Sequence, residues 1–230
     1  MRRYGTCANP RRGYSYHNYD HGRDVAAAAR RIAGELAEAR TVSRETADLA
    51  AFAGWYHDLE QGPGHEQRSA QHAAYALRRH GVPQQHVATV TAMIEATRVV
   101  GVDGHRLVQA ADPDDPRQAI LADADLSSLG SRHGVYRALL LCLEQQHLSG
   151  LIPLPADPHH AEPDREAAVR FLSLQVGLFR EHRYLLDISR RMFPHAQRNA
   201  DEMEQLVQLY VNDRITYPDM LARARDYAMA

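Results

Sequence analysis

Apolar residues recur along this chain every three to four positions and almost never every second one, a period that admits helices and little else. Val25, Ala29, Ile32 and Leu36 fall at i, i+4, i+7 and i+11, one face of a helix from about Asp20 to Arg40. Leu49, Phe52, Ala53 and Tyr56 mark a second helix, entered at Thr41 or Ser43 as cap. The breaker Gln61-Gly62-Pro63-Gly64 ends it, and a third helix runs from about His65 to His80, where Gly81-Val82-Pro83 stops the chain. A fourth carries Val87, Val90, Ile94 and Thr97 on one stripe. Arg117 to Leu129 reads as a fifth, closed by Gly130, and a sixth lies within 133–148. Val169, Leu172, Val176 and Phe179 open a long amphipathic helix reaching toward Met192, and two more follow, broken near Thr216-Tyr217-Pro218. Two stretches rich in Gly, Pro and Asp, Val100–Pro116 and Gly150–Pro163, read as long loops of the kind that serve as lids or linkers. No strand and no internal repeat stands out. The fold class expected is all-α, with a core over 14–148 and a C-terminal helical extension, 149–230, packed on it.

At 230 residues the chain can bury one full-sized core with an appendage. Its 27 basic and 29 acidic residues leave a formal charge of -2, which argues against a general nucleic-acid binder, since a grip on phosphate backbones needs a basic excess. Every one of the 27 basic residues is Arg, so a Lys nucleophile or Schiff base is excluded. Two cysteines, Cys7 and Cys142, lie far apart and offer neither a disulfide framework nor a cysteine-built zinc site. No apolar run is long enough to span a membrane, and Met1-Arg2-Arg3-Tyr4-Gly5 is not followed by the apolar stretch of a signal peptide, so a cytoplasmic location is the expectation.

Three short segments gather residue types that bind metals. In Tyr16-His17-Asn18-Tyr19-Asp20-His21, His17 and His21 are i and i+4, so on a helix their imidazoles share a face. That suits two ligands of one ion, or one ligand beside a proton donor; two polar residues at a helix start is the plainer alternative. In Trp55-Tyr56-His57-Asp58-Leu59-Glu60, a His-Asp pair ends an otherwise apolar helix, where an unpartnered polar group costs about 1–3 kcal/mol. A metal satisfies both groups at once; so would a pairing in which Asp58 only orients His57. In Ile120-Leu121-Ala122-Asp123-Ala124-Asp125-Leu126, two carboxylates sit among apolar residues and need a cation or several donors. At about 100° per residue they point roughly 200° apart, so one helix face cannot offer both to one ion. One is a ligand and the other structural, and helical phase does not choose between them.

Taken together the segments give H…HD…D in order, and in this they resemble the HD-domain superfamily of metal-dependent phosphohydrolases. Tyr16-His17-Asn18-x-x-His21 followed by Val25 resembles the opening motif of the cyclic-nucleotide phosphodiesterases. It is closer still to a bacterial group of small HD phosphohydrolases that share the Tyr-His-Asn-x-x-His start. His65-Glu66-Gln67-Arg68-Ser69-Ala70 also fits the helix that follows the HD pair in that family. The resemblance covers about 14–148 and implies an HD-domain helical bundle. It implies that His21, His57, Asp58 and Asp125 hold a divalent ion, with Asp123 the alternative to Asp125, and that His17 is the proton donor. Such mixed N/O ligation suits Mn, Fe, Co, Ni or Zn, with Mg also admissible. The reaction implied is hydrolysis of a phosphoester or phosphoanhydride, with a nucleotide as the substrate class.

Around these, Glu66 is a candidate to orient or deprotonate the attacking water, with a salt bridge to Arg68 or a neighbouring helix as its alternative. Asn18 and Arg98 are candidate substrate contacts; Arg98, Arg68 and Arg23 can each clamp a phosphate or simply face solvent. Dinuclear members of the family carry two further histidines, and while His65 fits the first, the second falls near Thr97, where there is none. One tight ion, with a weaker second at Asp58 and His65, is therefore expected; His80, His86 and His105 are expected to face solvent. Two rival readings keep the fold: an HD iron oxygenase, which needs the fuller histidine set, and a non-enzymatic ligand-sensing or interaction module. The C-terminal helices would suit a homo-oligomer interface.

Overall fold

The computed structural model describes residues 14–103, 106–153 and 157–229. Cys7, the Met1–Gly5 stretch, His105 and the tips of both expected loops, Gly104 and Pro155 included, lie outside the described residues. The molecule is all-α, as the periodicity indicates. Ten α-helices are present among the described residues: α1 (Tyr19–Glu38), α2 (Thr46–Tyr56), α3 (His65–Arg79), α4 (Gln84–Ala96), α5 (Pro116–Asp125), α6 (Gly134–Leu148), α7 (Arg165–Glu181), α8 (Asp187–Met192), α9 (Ala196–Val211) and α10 (Tyr217–Met229). Among the described residues no helix is long and apolar enough to cross a membrane.

Three departures from the sequence reading have physical causes. Within the expected loop 100–116 runs a small antiparallel hairpin, β1 (Val99–Asp103) and β2 (Arg106–Gln109), with an irregular register between Val99 and Gly101. Val99, Val100 and Val108 are exposed, so no buried face imposed the alternation that would have announced strands. The fifth helix tightens at Asp125 into a 3-10 turn, Leu126–Gly130. The long helix expected to reach Met192 stops at Glu181, because the chain after it is drawn into bonds with other elements. There Leu185 N and Leu186 N donate to the Asp123 carboxylate at 2.8 and 2.9 Å, and Tyr184 Oη donates to the Leu126 carbonyl at 3.1 Å.

Buried side chains form two clusters. One joins α1 to α5 through Ile32, Ala53, Leu77, Val90, Ile94 and Leu121. The other joins α6, α7, α9 and α10 through Leu139, Leu143, Phe179, Met203, Leu206 and Tyr217. Thus α6 packs with the C-terminal helices, and the two cores meet near the 3-10 turn. Helices α1 and α2 approach closely at Gly54, where a Cβ would stand 2.7 Å from Ala26 Cα. No side chain larger than hydrogen fits there.

Candidate metal centre

Asn18 sets where α1 begins. Its Oδ1 accepts from Asp20 N at 2.9 Å and His21 N at 3.3 Å, and its Nδ2 donates to the Ser15 carbonyl at 3.0 Å. The helix therefore starts after His17 and presents His21 inward from its first turn. His57 follows the last turn of α2, and its Nδ1–H donates to the Gly54 carbonyl at 2.8 Å. That bond turns Nε2 toward the seam between the cores and fixes the ring as an outer-shell partner does for a metal-binding histidine. Asp58 comes next in the chain, and Asp125 arrives from the end of α5.

These four converge. Nε2 of His21 and Nε2 of His57 are 3.2 Å apart. Asp58 Oδ2 lies 3.2 and 3.1 Å from those two nitrogens, and Asp125 Oδ1 lies 3.6 and 3.2 Å from them. All four donor atoms fall within 4.8 Å of one another. Bonds of about 2.1 Å to a central ion put neighbouring donors about 3.0–3.5 Å apart and opposite ones about 4.2 Å apart, so the set fits a single divalent ion. His21 and His57 are almost fully enclosed, at 5% and 1% side-chain exposure, while Asp58 and Asp125 at 16% and 19% face the open side.

The two aspartates have different partners. Asp125 joins the cluster; Asp123 is buried on the far side of α5, bonded to Leu185 N and Leu186 N, with burial pushing its carboxyl above the usual range. Asp58 spreads its second oxygen to His65 Nε2 at 3.2 Å, so the weaker-site residues are adjacent. Thr97 is buried and donates its hydroxyl to the Ile94 carbonyl at 2.8 Å. Glu66 is buried 3.6 Å from His65 Nδ1. Arg98 is exposed at the end of α4, Arg23 pairs with Asp20 and Asp24, and Arg68 staples the α2–α3 loop through the Gln61 and Pro63 carbonyls. His80 is exposed, whereas His86 is half-buried facing Glu45 at 3.5 Å.

Two contributors escaped the sequence reading. Glu144, fully enclosed on α6, accepts from Tyr16 N at 2.7 Å and His17 N at 3.0 Å, and its other oxygen takes a short hydrogen bond from His17 Nδ1–H. His17 Nε2 is thereby aimed at the cluster, 3.7 Å from Asp58 Oδ2. The signal was there: Glu144 follows Leu140 at i+4, a carboxylate on the apolar face of a helix. The other is Gln109, whose Nε2 donates to Asp125 Oδ2 at 3.0 Å and to the Thr97 carbonyl at 3.2 Å. Nothing in its sequence neighbourhood marks it.

Without a cation the cluster balances its own charge. Burial disfavours the charged form of His57, but the carboxylates of Asp58 and Asp125 outweigh it and raise its pKa well above the ordinary imidazole value. The same burial opposes ionisation of Asp125, yet hydrogen bonds from His21 and His57 hold it at about 2; Asp58 is likewise held well below the usual carboxylate range, burial being outweighed by His57, His21 and His65. His17 is likewise raised, burial being outweighed by Glu144 and Asp58. No family model, no curated protein and no solved structure matches the chain.

Proposed function

We propose that this chain is a divalent-metal-dependent phosphohydrolase of the HD type, acting on a phosphoester or phosphoanhydride, with a nucleotide the substrate class implied by the resemblance of its motifs. The observation that carries this reading is the convergence of His21, His57, Asp58 and Asp125, from three distant segments, beside an imidazole held by a buried carboxylate. A divalent ion held by those four would supply a water acidic enough to attack near neutral pH and a Lewis acid for the phosphoryl oxygen. The chain's own residues do the rest. His17, kept protonated by Glu144, delivers its Nε2 proton to the leaving oxygen. Glu144 also fixes the ring through Nδ1, so the donor nitrogen can only face the reacting group. Gln109 holds one oxygen of Asp125 away, which leaves Oδ1 as the donor to the ion.

The test is elemental analysis of Mn- and Fe-reconstituted protein beside Asp58→Ala, with turnover of p-nitrophenyl phosphate and bis(p-nitrophenyl) phosphate. A stoichiometric ion and measurable hydrolysis, both lost in the variant, are expected. Absence of metal uptake by the wild type would overturn the reading, and uptake with no turnover on a broad phosphoester panel would favour a sensing module instead.

A further inference from the structure

A cleft of about 410 Å³ opens directly from the metal centre, with His21 and Asp125 at its inner end. One wall is the face of α1 that carries His21, Asp24, Ala28 and Arg31; the other is the 3-10 turn and the start of α6. Its chemistry is one-sided. Arg23, Arg31 and Arg137 line it against a single carboxylate outside the metal cluster, Asp24, which pairs with both Arg23 and Arg137. Arg31 has no ion-pair partner among the described residues. Ser127 and Ser128 also line the cleft, the Ser128 hydroxyl bonded to Tyr16 Oη at 3.2 Å, and His133, which makes no cap bond with its side chain, stands at the positive N-terminal end of α6.

A positive excess and a helix N-terminus in one groove suit an anion, and the groove is far longer than the one phosphoryl group the metal would hold. At 1.5 Å per residue, Asp24, where Arg137 is anchored, stands about 5 Å beyond His21 along α1, and Arg31 about 15 Å beyond it. We infer that the substrate carries a second anionic group, a phosphate, set roughly 5 to 15 Å from the scissile phosphorus and gripped by Arg137 and Arg31. This rests on the proposed hydrolase reading and narrows it from phosphoesters in general to multiply phosphorylated ones. Arg137 is half-committed to Asp24, which holds its fork in place, while Arg31 is unshared and supplies the charge that a single phosphate ester never reaches.

The experiment measures binding of hexyl phosphate and of hexanediyl bisphosphate to the Mn-loaded full chain by calorimetry. The two ligands share a chain length and differ only in the second phosphate. Wild-type protein is expected to bind the bisphosphate at least about tenfold more tightly. The Arg31→Gln variant should cut that ratio several-fold, and Arg31→Gln/Arg137→Gln should bring it to near unity. Arg31 is exposed and unpaired, so its variant carries no folding risk even if loss of the Arg137–Asp24 pair unsettles the double variant. Binding of hexyl phosphate with no advantage for the bisphosphate, or an advantage that survives Arg31→Gln in full, would overturn the second-anion site alone. Binding of neither ligand by metal-loaded protein would overturn the hydrolase reading together with it.

Discussion

His17 lies two residues before the helix that presents His21, just ahead of its cap Asn18, and a carboxylate 127 positions away determines where its ring points. Replacing that carboxylate therefore tests proton donation without touching a ligand. Glu144→Gln should lower kcat by about 10²-fold, the usual worth of a positioned acid, with metal content unchanged. Glu144 helps raise the His17 pKa, so its loss lets the imidazole deprotonate at lower pH, and the alkaline limb of the kcat profile should shift to lower pH. A variant whose profile keeps its limb would refute the pairing. Asp123→Asn probes the neighbouring carboxylate that lies outside the candidate ligand group. Half of its acceptor capacity for Leu185 N and Leu186 N disappears, which should cost about 1–3 kcal/mol and several degrees of Tm, with metal stoichiometry intact. At this scale residue type was informative, because histidines and carboxylates in apolar helices need a partner. What period could not show was which partner: Asp123 and Asp125 read alike until the 182–186 segment claims the first.

Between elements, the decisive contact is the crossing of α1 and α2. His21 and His57 meet because Gly54 lets the two backbones approach, with Ala26 Cα and N only 2.7 and 2.8 Å from where a Cβ would sit. Gly54→Ala must push the helices apart, an overpacking cost of about 1–3 kcal/mol that exceeds the roughly 1 kcal/mol Ala gains in helix propensity. Tm should fall, and metal affinity should drop at least about tenfold as the two imidazoles separate. Calorimetric metal titration with thermal melts checks both, and an unchanged affinity would show that the crossing does not set the site. Helix positions were legible because buried stripes repeat at 3.6 residues. The β1–β2 hairpin was not, because its exposed valines face no core, and the break after Glu181 was not, because its cause is a set of bonds to residues some 60 positions earlier.

For the molecule as a whole, the centre sits on a seam. The first core supplies His21, His57 and Asp58; Asp125 leaves α5 where the cores meet; α6 of the second core grips His17. With no ion bound, pairing of the raised imidazole with the depressed carboxylates is expected to make the stability of this seam depend on pH, and the sign of each contribution follows from its shift. Asp58 and Asp125 are depressed, so their stabilisation is present above about pH 4 and fades as pH falls toward 2. His57 is raised, so its stabilisation is complete below about pH 6.5 and is lost as pH climbs through its elevated pKa. Metal must displace those protons. Its affinity should therefore rise from pH 6 to pH 8 with proton release detectable across buffers of different ionisation enthalpy, and its stabilising effect on Tm should grow over the same range. Pattern alone read the loop 150–163 as a lid or linker before an extension packed on the core; α6, which precedes it, shares its buried cluster with the helices that follow, because its apolar face turns toward helices the chain has yet to make.

The 3-10 turn after Asp125 is clasped from downstream: Tyr184 Oη accepts from Gly130 N at 3.0 Å, and Asn199 Nδ2 donates to the Leu129 and Ser131 carbonyls at 2.9 and 2.8 Å. A ribosome making this chain finishes all four side chains of the candidate site well before it makes Tyr184 and Asn199, which clasp the turn after the fourth. At about 5–20 residues per second the gap lasts on the order of several seconds. Under the proposed reading, the clasp on the turn that carries Asp125 is complete only after Asn199 is made, and ion uptake is expected to follow synthesis of that residue.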